Sequence, residues 1–152
     1  MRELNPVMRR KIAAVLADLT GHNYRPRIQC AWRSPADQLA AYRNGYSKLR
    51  WGFHNATAGG EPDALAADIL DDDRPLEETR WFMVWLARSA RAHGLKTGLL
   101  WGVPAKMQAA IYAAIDDPIQ SRVAAIRPGW DPLHCEPAGL SVASAKAGER
   151  PV

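Results

Sequence analysis

Cysteine is scarce in this chain. There are two, Cys30 and Cys135, and no Cys-x-x-C pair. That excludes a disulfide framework and a cysteine-built zinc cluster, and leaves a pair of buried free thiols as the expectation. Long apolar runs are missing as well. Residues 1–19 carry charges and no uninterrupted apolar stretch, so no secretory signal is expected. Nothing approaches the length needed to span a bilayer, which argues against membrane insertion. The net charge of +4 comes from scattered lysines and arginines. A basic stripe of the kind that binds nucleic acid is absent, whereas weak attraction to an anionic polymer is compatible with this balance. No internal repeat, low-complexity core or linker is present. Histidine is limited to four positions, 22, 54, 93 and 134.

The chain has 152 residues, enough for one domain with a core of its own. Six tryptophans are many for that length. Such large rigid side chains suit a core or the wall of a groove. Helical periodicity begins at Asn5 and Pro6, a cap and a first-turn proline, with Val7, Ile12, Val15, Leu16 and Leu19 on one face and Gly21 at the end. Residues 27–32 alternate as a strand does. Ser34 and Pro35 open a second helix that Gly45 closes. A loop follows, and then the apolar run 64–70, read as a buried strand. Asp71 to Asp73 read as a solvated turn, with Asp73 a candidate cap. The next helix is opened by Pro75, Glu77 and Glu78 and stopped by Gly94. Residues 96–102 read as a strand, and 103–126 as helix broken at Pro118. The segment WDPLHCEP, 130–137, reads as a turn entering a last strand. Residues 138–152 read as a flexible, poorly ordered tail. The expected class is α+β, with helices around a small, mainly antiparallel sheet.

The chemistry gathers on few residues. His22 and His93 stand beside helix-ending glycines, where an imidazole can meet terminal carbonyls. His54 lies ahead of the strand that carries Asp68. A buried aspartate is costly unless paired or bound to a metal. On its own, Asp68 reads as a hydrogen-bonded carboxylate. With His54 and His134 it makes a possible set of three ligands, the number a catalytic zinc takes while leaving one position open. Asp131, three residues before His134, can then serve as general base toward water. Arg33, at the end of a predicted strand, can receive a developing oxyanion or pair with a carboxylate.

The segments WRSPADQLAAYRNGYS, HNATAGGEPDALAADI, LLWG and WDPLHCE, in that order, resemble the zinc-dependent D-alanyl-D-alanine carboxypeptidase and L-alanyl-D-glutamate peptidase family. That family includes bacterial cell-wall peptidases and phage endolysins. The resemblance spans about residues 5–137 and rests on the order and spacing of its motifs together. It implies a D-Ala-D-Ala carboxypeptidase or hedgehog-like fold with one Zn2+ on the sheet. The implied ligands are His54, Asp68 and His134. Asp131 matches the base and Arg33 the arginine facing the substrate. Ser34 and Gln38 match its supporting residues, Trp101 and Gly102 the site wall, and Glu136 an acid that orients a ligand histidine. The longer segment between His54 and Asp68 is expected as a flap over the substrate. Residues 103–127 are expected as a lid or an oligomer surface. Cys135 is expected to face away from the metal.

The function these residues imply is hydrolysis of amide bonds in peptidoglycan stem peptides, in a phage or prophage lysis setting. The enzyme would be made in the cytoplasm and reach the wall through a holin or as a phage component. The competing expectation is a non-catalytic, metal-stabilised wall-binding or phage structural module of the same fold. Retention of Asp131 beside the ligands favours the enzyme.

Overall fold

The computed structural model describes residues 1–76 and 79–152. Its architecture is α+β, a four-stranded antiparallel sheet packed with helices. Helix α1 (Pro6–Gly21) starts as its sequence dictates. The Asn5 side chain accepts from the Val7 and Met8 amides, and Pro6 occupies the first turn. Met8, Ile12, Val15 and Leu19 are its buried positions; Met8 takes the core place expected of Val7. The left-handed residue past its end is Asn23, with φ 63°. Strand β1 (Pro26–Cys30), helix α2 (Pro35–Arg43), the short hairpin β2 (Thr57–Ala58) and β3 (Glu61–Pro62), and strand β4 (Ala67–Asp71) follow. Then come α3 (Arg80–Ala92), β5 (Leu95–Gly98), α4 (Ala105–Asp116), α5 (Gln120–Ala125), β6 (Asp131–Pro137) and α6 (Val142–Lys146).

The sheet order is β1-β4-β6-β5. The last long strand is therefore interior, not the edge strand its prolines suggest. Pro132 and Pro137 sit near its two ends, where a missing donor costs least. Helix α3 lies between two apolar clusters. Phe82, Leu86 and Ala90 join α1 and the sheet in the main core. Met83, Val84 and Ala87 join Leu99, Ile111, Ala114, Val123 and Ile126 in the second. The segment 103–127 is thus built into a core of its own rather than folded as a lid.

Other expectations are revised. Helix α3 begins at Arg80, capped by the Thr79 hydroxyl, which accepts from the Phe82 amide. Pro75 precedes it in a turn, and Glu77 and Glu78 lie outside the described residues. The β5 strand ends at Gly98, and 99–102 form turns. Asp72 and Asp73 pair with Arg25 and Arg27, while buried Asp71 accepts from the Arg25 and Asp73 amides, so no cap is made there. His22 stacks on Trp85 at 3.6 Å, and His93 bonds Asp18 at 2.9 Å; only their backbone amides cap helices. The 138–152 segment is docked. Ala145 is buried in the main core, and Arg150 donates to Asp63 at 2.6 Å and to the Thr57 carbonyl at 2.7 Å. These bonds hold the β2–β3 hairpin against the C-terminal segment. No hairpin residue lines the cleft described next, which corrects the expectation of a flap. Among the described residues no helix is long and apolar enough to cross a membrane.

Candidate metal centre

One row of side chains crosses the sheet. Cys30 on β1 lies opposite Asp68 on β4, and Asp68 opposite His134 on β6. Directly opposed residues project to the same face. The neighbouring pair is Lys96 on β5 opposite Glu136 on β6. Glu136, two residues beyond His134, shares that face. The order β1-β4-β6-β5 thus brings together groups far apart in the chain.

Cys30 reaches this row through an irregularity. Ile28 pairs with Ile69 and Cys30 with Asp68, so β1 spends one extra residue, Gln29, against β4. The bulge turns Cys30 out of phase with Ile28. Without it, Cys30 would share the face of Ile28, which packs against the main core. Cys135, paired with Ala67 and Thr97, faces that core and is fully buried. Burial pushes its thiol well above the ordinary range. Neither cysteine is in a disulfide.

His54 comes from outside the sheet, on a single 3-10 turn, Phe53–Asn55. Asn55 builds that turn. Its Oδ1 accepts from the Gly52 amide at 2.8 Å, and its Nδ2 donates to the Arg33 carbonyl at 2.8 Å. The Arg33 amide donates to the His54 carbonyl at 2.9 Å, and the Leu65 amide to that of Phe53 at 2.9 Å. The turn is thereby fastened to the segment that follows β1 and to the one that precedes β4.

Three inner atoms converge. His54 Nε2 is 3.1 Å from His134 Nδ1 and 3.2 Å from Asp68 Oδ1, and His134 Nδ1 is 3.0 Å from that oxygen. The outer nitrogens decide what those inner atoms carry. His54 Nδ1 lies 2.5 Å from the Ala31 carbonyl oxygen, which only accepts, so Nδ1 holds the hydrogen. His134 Nε2 lies 3.1 Å from Glu136 Oε2, and the other oxygen of that carboxyl group accepts from Lys96 Nζ at 3.0 Å, so Nε2 is the ring nitrogen placed to donate its hydrogen to Glu136. In neutral imidazoles the inner nitrogens are then bare lone pairs. Two nitrogen lone pairs and a carboxylate oxygen face one point, and a positive charge is needed between them. Protons supply it in one state: burial disfavours a charged His54, but the bonds to Asp68, Cys30 and the Ala31 carbonyl prevail and push it up to about 10. His134 is likewise raised against the opposing effect of burial, by Asp68 and Glu136. For Asp68 burial works upward, yet the two imidazoles hold it well below the usual carboxylate range.

A cation supplies the charge in the other state. The centre of the triangle lies about 1.8 Å from each corner, slightly short of the ~2.0–2.2 Å at which a divalent ion binds nitrogen and carboxylate oxygen, so an ion a little out of that plane reaches all three. Cys30 Sγ also belongs to the group: sulfur, imidazole nitrogen and Asp68 oxygen all lie within 4.8 Å of one another. Cys30, His54 and Asp68 form a possible metal-binding triad, and His134 adjoins it.

The remaining expected residues divide. The Arg33 guanidinium stands 3.9 Å from Asp68 Oδ2 and 4.0 Å from Cys30 Sγ. Gln38, buried, accepts from Arg33 Nη1 at 3.0 Å and donates to the Leu49 carbonyl at 2.6 Å and the Ser47 hydroxyl at 2.8 Å. It positions Arg33 against the loop 46–49. Ser34 does not line the cleft; its hydroxyl caps α2 and bonds Asp37. Trp101 packs at 5.2 Å beside the His134 ring and at 5.1 Å beside Trp130. Asp131 lines the same cleft, a cavity of about 450 Å³ that includes Arg33, His54, Asp68, Trp101 and His134. Asn55, Lys96 and Trp130 were not singled out from sequence, and Cys30, expected as a buried thiol, is only half-buried and was not assigned to the site. Only Asn55, adjacent to a candidate ligand in a turn-rich loop, carried a local signal.

Comparison with protein-family models, with curated proteins and with solved structures finds no match for this chain.

Proposed function

We propose that this chain is a zinc-dependent peptidase that hydrolyses amide bonds in peptidoglycan stem peptides, of the L-alanyl-D-glutamate endopeptidase or D-alanyl-D-alanine carboxypeptidase type. The supporting observation is the convergence of His54 Nε2, His134 Nδ1 and Asp68 Oδ1, with both outer imidazole nitrogens committed to acceptors. Borderline-soft zinc suits two imidazoles and a carboxylate. The substrate class rests on the motif resemblance, and with it the setting in phage or prophage lysis.

Bound zinc would polarise the scissile carbonyl and make water acidic enough to attack at neutral pH. This chain's residues do the rest. Asp131, on the cleft wall, takes the proton of the attacking water and delivers it to the leaving amine. Arg33, held by Gln38, offers its guanidinium to the charge that develops on the carbonyl oxygen. Trp101 and Trp130 form an apolar wall that excludes water from the substrate peptide. Glu136 and the Ala31 carbonyl keep the imidazoles in the tautomer that presents lone pairs inward.

The test is release of free amino groups from purified peptidoglycan by the zinc-loaded chain. Removing Asp131 (Asp131→Ala) should leave zinc bound and cut the rate by about 10²–10⁴-fold. Parent-like cleavage by that variant rejects the base. Zinc binding with no release of amino groups by the unaltered chain rejects the peptidase reading in favour of a binding module.

A further inference from the structure

Cys30 has no part in the chemistry above, yet the fold goes out of its way to deliver it. The bulge at Gln29 turns it from the core face to a position opposite Asp68. There its sulfur lies within 4.8 Å of both the His54 nitrogen and the Asp68 oxygen. A thiol placed beside two metal-ligating atoms is in a different situation from Cys135, sealed in the main core.

We propose that Cys30 is a fourth protein donor to the same centre, binding the metal through its sulfur and competing with water and substrate for the position the other three leave open. This rests on the reading of His54, Asp68 and His134 as one metal site. On binding, the thiol loses its proton to solvent and the sulfur donates its electron pair; no oxidant is involved. The Arg33 guanidinium, 4.0 Å from the sulfur, offers a counter-charge to the resulting thiolate. The same arginine faces Asp68 at 3.9 Å, so a substrate carboxylate or oxyanion that recruits Arg33 also removes the partner of the thiolate. Entry of substrate and release of sulfur are thereby coupled. A sulfur donor shifts preference toward soft ions, cadmium and zinc above manganese and magnesium.

The experiment uses cobalt(II) as the probe, added to the full chain made metal-free and kept reduced. Visible d–d bands report that a cobalt site exists. A near-ultraviolet sulfur-to-cobalt charge-transfer band reports that thiolate is a ligand. Both are expected in the unaltered chain, and Cys30→Ser should lose the near-ultraviolet band while keeping the visible ones. X-ray absorption on the unaltered zinc form provides a check that needs no variant: one sulfur neighbour at about 2.3 Å is expected. Visible bands with no charge-transfer band, or a zinc shell of nitrogen and oxygen alone, overturn the role of Cys30 and leave the three-ligand centre standing. A charge-transfer band that survives Cys30→Ser overturns it as well. Absence of any cobalt or zinc binding rejects the centre itself, and the inference with it.

Discussion

Replacing Gly98 by alanine probes how the base is placed. Strand β6 does not run in simple register with β5: Thr97 pairs with Cys135, but the next residue, Gly98, pairs with Asp131. At that step the two backbones lie so close that an alanine Cβ at position 98 would fall far inside van der Waals contact distance of the Asp131 carbonyl oxygen. It would also sit 2.8 Å from the Asp131 carbonyl carbon and from Trp101 Cε3. Ordinary carbon contacts are about 3.5–4.0 Å, so the strands must part by roughly 1 Å. Overpacking of this kind costs about 1–3 kcal/mol, a fall in Tm of roughly 3–10 °C for a domain of this size. Displacing a catalytic group by about 1 Å costs on the order of 100-fold in rate. Gly98→Ala should therefore melt earlier and, on the proposed activity, turn over about 100-fold more slowly. It should bind zinc nearly as tightly as the parent, because His134 is held in register by β4 rather than by Gly98. Gly139→Ala is the control: a Cβ there meets nothing within 4 Å, and its Tm should be unchanged. Calorimetry and a hydrolysis assay measure both variants. Parent-like melting and turnover in Gly98→Ala would falsify the argument that this contact places Asp131.

Four further outcomes are expected. Metal binding should release protons and tighten as pH rises, because the metal-free site holds protons on His54, raised to about 10, and on His134; calorimetry in buffers of different ionisation heat that detects no proton release refutes this. The same shifts set the pH dependence of the metal-free fold. The contribution of His54 is complete below its unfolded value of 6.5 and is lost as pH rises through about 10, while that of Asp68 is present above 3.8 and is lost in acid, as pH falls through its lowered folded value; urea unfolding carried from strong acid, below pH 3.8, up to about pH 11 should trace both. Glu136→Gln should weaken zinc binding about 10–100-fold by loosening the orientation of His134, and a competition titration giving an unchanged Kd refutes that role. Arg150→Ala should destabilise the fold by about 1–3 kcal/mol, since among the described residues the buried Asp63 side chain then keeps only Asn5, and should expose the C-terminal segment to protease; an unchanged urea midpoint would argue against the docked tail.

Local signals in the chain carried a good part of the architecture. The Asn5–Pro6 and Ser34–Pro35 starts are legible because a cap and a first-turn proline act within one helical turn. Helix α3 was legible from its apolar stripe, although its start was not: Thr79 caps it, and acids and a proline upstream imitated that signal. The α4–α5 break at Pro118 followed from a missing amide. The roles of His22 and His93 were misread because a partner from a distant helix, Trp85 or Asp18, outweighed the local carbonyls.

The site was legible only as an inventory. An aspartate inside an apolar strand, two histidines outside helix ends and an acid three before one of them are facts of spacing, and spacing limits which chemistries are open. Their convergence depends on the strand order β1-β4-β6-β5, in which α1 packs by β1 and α3 by β5 and β6, and which lies beyond any local window. Two bulges did the rest. One turns Cys30 toward Asp68, and the other sets Asp131 against Gly98. Strict alternation in the sequence predicts the opposite face for Cys30, because a period of two cannot register an unpaired residue; only the energy of matching whole strands across the sheet selects where that residue is spent.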